Sequence, residues 1–202
     1  MDTAVLWVKT YLESNGYFTL AEYQVIEALD EGGYRTATDL DIMAVRFPGA
    51  GRLVARSGRP DQQMMATDPL LEVSEEMVDL IIGEVKEGAA ELNRTVRNPD
   101  VLKVALARFG AVAMEQCDEV VSKLIDKGEA TSDVGFRVRL AAFGTKRPRG
   151  SPRFLAINLG HIGQYLQTVT KENWEALSTS HFSDPVYGSL MLMEKARRAE
   201  DL

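Results

Sequence analysis

The sequence holds one cysteine, two histidines and no apolar run approaching the roughly 18 residues that a membrane-spanning helix needs. Each scarcity closes a class. Cys117 has no partner, so an internal disulfide is excluded and the chain fits a reducing compartment. With no supporting motif, Cys117 reads as a small residue of a helical stretch between Met114 and Val120, not as a nucleophile. His161 and His181 stand far along the chain from the acidic motifs described below, so nothing resembles a zinc ligand set. His161, at a helix start after Leu159-Gly160, and His181, in a loop, read as satisfied or exposed histidines, not as general bases. The opening MDTAVLWVKTYLE is amphipathic but lacks a basic leader and a cleavage pattern, which argues against a signal peptide and for a soluble, cytoplasmic protein. Repeats, low-complexity tracts and linkers are also missing. A single α/β domain over 1–202 is expected, with its motif region in 1–110 and a helical part at about 160–200.

Positive charge is scarce too. Against 30 Asp and Glu there are 23 Lys and Arg, a net charge of −7. An acidic chain repels a phosphate backbone, so nucleic-acid binding requires a local basic face. One stretch qualifies: Arg137, Arg139, Lys146, Arg147, Arg149 and Arg153 fall within 17 residues that contain no acid. It reads equally as a nucleic-acid face and as a solvated loop. Arg147 and Arg149 are its candidate contacts.

What is present is a readable alternation of elements. Val5, Leu6, Val8, Tyr11 and Leu12 form one helical face, and Asn15-Gly16 ends that helix. Phe18 to Leu29 reads as a strand, Asp30-Glu31-Gly32-Gly33 as a hairpin turn, and Tyr34 to Phe47 as the returning strand. Residues 49–77 carry several breakers and three arginines, Arg52, Arg56 and Arg59, and form a long excursion. Met77 to Val85 is apolar on both faces, the mark of a central strand covered on both sides. Asn98-Pro99 opens a helix over 99–109 that closes at Gly110. A short strand at 111–113, a helix at about 116–127 and strands at 136–143 and 154–159 follow. Helices at about 160–177 and 184–198 complete the chain. The sum is a mixed sheet with helices on both faces.

Two charged patterns interrupt strands that otherwise want burial. They are Asp39-Leu40-Asp41-Ile42-Met43-Ala44-Val45 and Leu80-Ile81-Ile82-Gly83-Glu84-Val85-Lys86. A carboxylate leading into a buried strand costs several kcal/mol unless it is paired or metal-bound. Glu84 and Lys86 are two apart, so a strand puts them on one face. With Asp41 alongside, the cluster has two hard oxygen donors suited to Mg²⁺ or Mn²⁺ and one ammonium. A metal held by Asp41 and Glu84 would polarise a phosphoryl oxygen and activate water, with Lys86 orienting the attack. The Val85 carbonyl could complete the shell. Asp39 shares the strand and competes with Asp41, which is preferred because the buried run begins directly after it.

These residues resemble the PD-(D/E)xK nuclease motif. The flanking segments Arg35-Thr36 through Phe47-Pro48, Ile82 through Gly88, Leu92-Asn93, and Asn98-Pro99 through Phe109-Gly110 resemble a bacterial group of restriction-endonuclease-like proteins. The likeness covers roughly residues 1–110. It implies a restriction-endonuclease-like sheet, DNA as substrate, Mg²⁺ or Mn²⁺ as cofactor, and catalysis by Asp41, Glu84 and Lys86. It also allows a homodimer or a partner subunit. The proline that precedes the aspartate in the family is Leu40 here. The family's extra acid from the first helix has two candidates, Glu13 and Glu22, and neither sits in a motif. Asn93, Arg94 and Arg97, just past the motif, are candidates for phosphate contact or for capping and solvent.

Three alternatives stand beside the nuclease. Asp41, Glu84 and Lys86 could form only a strand-end salt bridge. The fold could persist as an inactive module that binds nucleic acid or a protein. The site could hydrolyse nucleotides or small phosphates.

Overall fold

Turn chemistry starts the sheet. The computed structural model describes residues 2–51, 53–54 and 63–200. In it, α1 (Thr3–Ser14) is capped by Asp2, whose carboxylate accepts the Ala4 N–H at 3.0 Å. Gly16, at φ 84°, turns the chain into β1 (Phe18–Ala28). Gly32 and Gly33, both at positive φ, let the chain fold back as β2 (Tyr34–Arg46). The excursion after β2 contains a two-residue ribbon, β3 (Leu53–Val54) against β4 (Gln63–Met64), and a tight turn at Pro69–Leu71. Arg52, Arg56 and Arg59 lie outside the described residues.

The chain then runs through β5 (Val78–Ala89), α2 (Pro99–Phe109), α3 (Cys117–Lys127), β6 (Glu129–Thr131), β7 (Phe136–Lys146) and β8 (Leu155–Asn158). It ends with α4 (Leu159–Glu172), α5 (Trp174–Leu177) and α6 (Pro185–Glu200). The sheet order is β1-β2-β5-β7-β6, with β8 also paired to β7. Pairs β1–β2, β2–β5 and β6–β7 are antiparallel; β5–β7 and β7–β8 are parallel. This is the mixed α/β sheet that the pattern implies.

Helices cover both faces. Ile42, Ala44, Ile81 and Phe143 pack with α1, α4 and α6, whereas Leu40, Met43, Leu80, Ile82 and Leu140 pack with α2 and α3. Every residue from Asp79 to Glu84 is buried, as the double apolarity of β5 requires. Cys117 belongs to the α2–α3 core.

Two expectations need correction, and one strand is added. Residues 111–113 form no strand; the Ala111 N–H closes on the Leu106 carbonyl, and with Gly110 in the left-handed region the segment is the exit from α2. The helix expected to reach Leu177 breaks at Asn173, whose side-chain amide donates to the Val169 carbonyl. β6 was not anticipated, because three residues carry too little pattern.

Behind the sheet's core lies a buried ion pair. The Arg139 Nε donates to Asp79 Oδ1 at 2.9 Å, its Nη2 to Asp79 Oδ2, and its Nη1 to the Leu71 carbonyl at 2.8 Å. The Tyr17 hydroxyl also donates to Asp79. Burial pushes the Tyr17 phenol above its ordinary value and the Asp79 carboxylate adds to that rise. Removing one member leaves an uncompensated buried charge. Asp79→Ala should therefore cost about 3–5 kcal/mol in denaturant unfolding, and Asp79→Leu with Arg139→Met should recover most of it. A loss below about 1 kcal/mol for Asp79→Ala would mean that the pair is solvated.

Candidate functional site

β2 and β5 pair only from Ile42–Gly83 to Arg46–Asp79. The next rung in that register, Asp41 opposite Glu84, is not made. There the strands part: β2 goes on towards its hairpin with β1, and β5 goes on beside β7 as far as Ala89. Gly83 permits the close approach just before the fork. A Cβ there would lie 2.7 Å from the Ile42 side chain and 3.0 Å from the Phe143 ring.

Three sequence-expected residues meet at this fork. The Asp41 Oδ2 accepts the Val85 N–H at 2.8 Å, taking the place of a ladder carbonyl. Glu84, only 7% exposed, continues the alternation of Leu80 and Ile82 and so belongs to the α2–α3 face. The Lys86 Nζ stands 3.8 Å from Glu84 Oε1, with its side chain 34% exposed. Asn93, from the turn after β5, donates from Nδ2 to Glu84 Oε1 at 2.8 Å and accepts the Val96 N–H on Oδ1 at 2.8 Å. Its amide is thereby fixed at both ends. Of its two expected roles, phosphate contact or capping, Asn93 takes the capping one on Val96, and it holds Glu84 as well.

The electrostatics follow from this crowding. Burial pushes Glu84 up to about 7, the Asp41 charge adds to the rise, and Lys86 and Asn93 oppose it. Asp41 is raised as well, chiefly by burial, against the pull of the Val85 N–H and Lys86; Asp2 and Glu22 push it further up. Two carboxylates that each resist ionisation fit a divalent cation, whose charge would relieve both. Among the described residues no group of three or more His, Cys, Asp or Glu is placed to hold a metal. Mg²⁺ asks for less: one or two carboxylates with waters completing its octahedron.

The other candidates divide. Glu22 falls opposite Asp41, between the rungs Ala21–Ile42 and Tyr23–Leu40, with its own backbone left-handed at φ 52°. Its carboxylate accepts the Asp2 N–H at 3.2 Å. Glu13 is not at the fork; it pairs with Lys9 and accepts from Thr19. Asp39 is exposed, two residues further along β2. Of the basic stretch, Arg139 is committed to Asp79, and Arg137 to Glu129 and the Glu72 carbonyl, so neither offers a nucleic-acid face. Lys146, Arg147 and Arg149 are exposed.

His161 is satisfied, as expected. Its Nε2 lies 2.5 Å from Asp68 Oδ2, which also accepts the Tyr11 hydroxyl at 2.7 Å. This network joins α1 to α4 on the face of the sheet that those helices cover. Asp68 carried no sequence signal, because its partners come from positions 11, 15 and 161. His181 is exposed in a loop.

The chain matches no protein-family model, no curated protein and no solved structure.

A folded chain keeps the Glu84 proton to about pH 7, whereas an unfolded chain releases it near the ordinary 4.5. Between those values the folded state binds more protons, so stability falls as pH rises through the window. Glu84→Gln should remove that fall and unfold several degrees above the parent at pH 8, a gain on the order of 2–3 kcal/mol, with little gain at pH 4. Parallel melting profiles for the two proteins would contradict the burial-driven shift.

Proposed function

We propose that this chain is a divalent-metal-dependent phosphodiester hydrolase acting on DNA, with a restriction-endonuclease-like arrangement of its sheet. One observation carries the reading: Asp41, more than forty residues earlier in the sequence than Glu84 and Lys86, meets them where β2 parts from β5. The PD-(D/E)xK resemblance adds the expectation that such a fork is catalytic.

Asp41 and Glu84 would hold Mg²⁺ or Mn²⁺, which supplies Lewis-acid polarisation of the phosphoryl group and neutralises charge in the in-line displacement. The chain's own residues do the rest. Asn93 holds one Glu84 oxygen and leaves the other free to turn towards the fork. The Val85 N–H fixes Asp41 so that its carboxylate cannot rotate away. Lys86, partly exposed, orients the attacking water and donates towards the developing oxyanion. An additional copy of the chain or a partner subunit would serve a two-strand cut.

A second reading has its own support. Asp41 is bonded to backbone, Lys86 already faces Glu84, and the net charge is −7. A binding module that keeps the fold without cleavage would show the same internal satisfaction.

Supercoiled plasmid separates them. With Mg²⁺ the parent should nick DNA, chelator should abolish nicking, and Lys86→Ala should lower the rate at least about a hundredfold. Tight DNA binding with no cleavage by either protein would favour the module. Hydrolysis of mononucleotides with intact plasmid would point to a small-phosphate hydrolase.

A further inference from the structure

Beside Glu84 lies a second feature of opposite charge. The turn that carries Asn93 also carries Arg94 and Arg97, and it faces the loop between β7 and β8, which carries Arg149 and Arg153. Together with the end of α3 they enclose an open cavity of about 600 Å³. Asn93 lines this cavity and donates to Glu84, so the cavity and the fork share a wall.

The four arginines are not alike. Arg153 is structural: its Nη1 donates to the Asp126 carbonyl at 3.0 Å, and its own carbonyl closes over Gly128, where a Cβ would stand 1.7 Å away. The side chains of Arg94, Arg97 and Arg149 make no hydrogen bond or ion pair among the described residues; Arg97 lies over the Phe154 ring at 5.9 Å. Two acids, Glu91 and Asp126, are in the lining, and among the described residues neither carboxylate pairs with a guanidinium. Three cations gathered in one concavity repel one another, and a chain of net charge −7 has carboxylates to spare for pairing them. Their side chains instead stand free around the opening. The apolar floor open to a ligand is small: Leu92 and Phe154 are half-buried, whereas Leu124 and Leu140 are fully buried.

Free guanidiniums above an apolar, partly aromatic floor match a group that is anionic at one end and flat at the other. The volume suits one nucleotide, not the full width of a duplex. We propose that this cavity binds a nucleotide of a single nucleic-acid strand, with phosphates against Arg94, Arg97 and Arg149 and a base over the Phe154 floor. It would seat an unpaired or displaced nucleotide next to the bond presented to Asp41 and Glu84. The inference rests on the nucleic-acid reading of that site, but its test is binding in chelator: a chain that cleaves nothing can pass, and one that cleaves can fail.

The measurement is fluorescence anisotropy of a dye-labelled ten-nucleotide single strand, with the blunt duplex of the same sequence as comparison. The parent should bind the strand more tightly than the duplex. Arg94→Ala with Arg97→Ala and Arg149→Ala should weaken strand binding at least about tenfold and lower the salt slope by about two, three lost phosphate contacts at about 0.7 each. Removing equal charge elsewhere, with Arg35→Ala, Lys123→Ala and Lys195→Ala, should change it by less than about twofold. Unchanged melting of the triple variant would show that folding is intact; a collapsed melt moves the test to Arg149→Glu alone, which should still weaken binding. Strand binding that survives the cavity substitutions, or a duplex preferred by the parent, would overturn the proposal. Equal competition by a mononucleotide would overturn the strand in favour of a free nucleotide.

Discussion

Everything at the candidate site depends on where β2 lets go of β5. After the rung Ile42–Gly83 the Val85 N–H loses its ladder acceptor, and a half-buried backbone donor needs another partner. The Asp41 carboxylate satisfies it at 2.8 Å. One hydrogen bond therefore closes the end of a strand pair and anchors an acid beside Glu84. The cost is two carboxylates held in a poorly solvated place, both raised above their ordinary values. A purely structural strand end has a cheaper solution, since an asparagine accepts the same N–H without a charge. The presence of a second acid and an ammonium at the same fork is what the functional reading explains.

The two faces of the sheet are organised differently. On the α2–α3 face the polar groups gather at the fork and at the arginine cavity. On the other, polar groups knit helices together: Asp68 links Tyr11 of α1 to His161 of α4, and the Tyr165 hydroxyl reaches Asn15 and the Ala66 carbonyl. Among the described residues that network has no carboxylate pair and no unpaired cation. Its tyrosines are pushed up by burial and by Asp68, as expected of hydroxyls that serve as permanent donors.

Much of this was legible in the residues. Strand periodicity puts Glu84 and Lys86 on one face, and the start of the buried run singles out Asp41 over exposed Asp39. The Asp-Glu-Gly-Gly turn and the Asn98-Pro99 cap are local chemistry and fall where expected. What escaped depends on long-range contacts. Arg137 and Arg139 look like members of a basic stretch, yet their strand turns them inward to Glu129 and Asp79. Of that stretch Arg149 lines the same cavity as Arg94 and Arg97, which stand more than fifty residues earlier. The anchor of Glu84, Asn93, comes from a turn whose shape no periodicity encodes.

The left-handed backbone at Glu22 has a consequence for how chains of this kind can meet. Among the described residues β1 is the outer strand of the sheet, eleven residues long, with a strand neighbour on one side only. A straight border of that length invites another molecule to extend the sheet and grow without limit. A residue at φ 52° in its middle interrupts the extended backbone of that border, at the expense of about 1–2 kcal/mol of local strain. The irregularity works against extension of the sheet through that border.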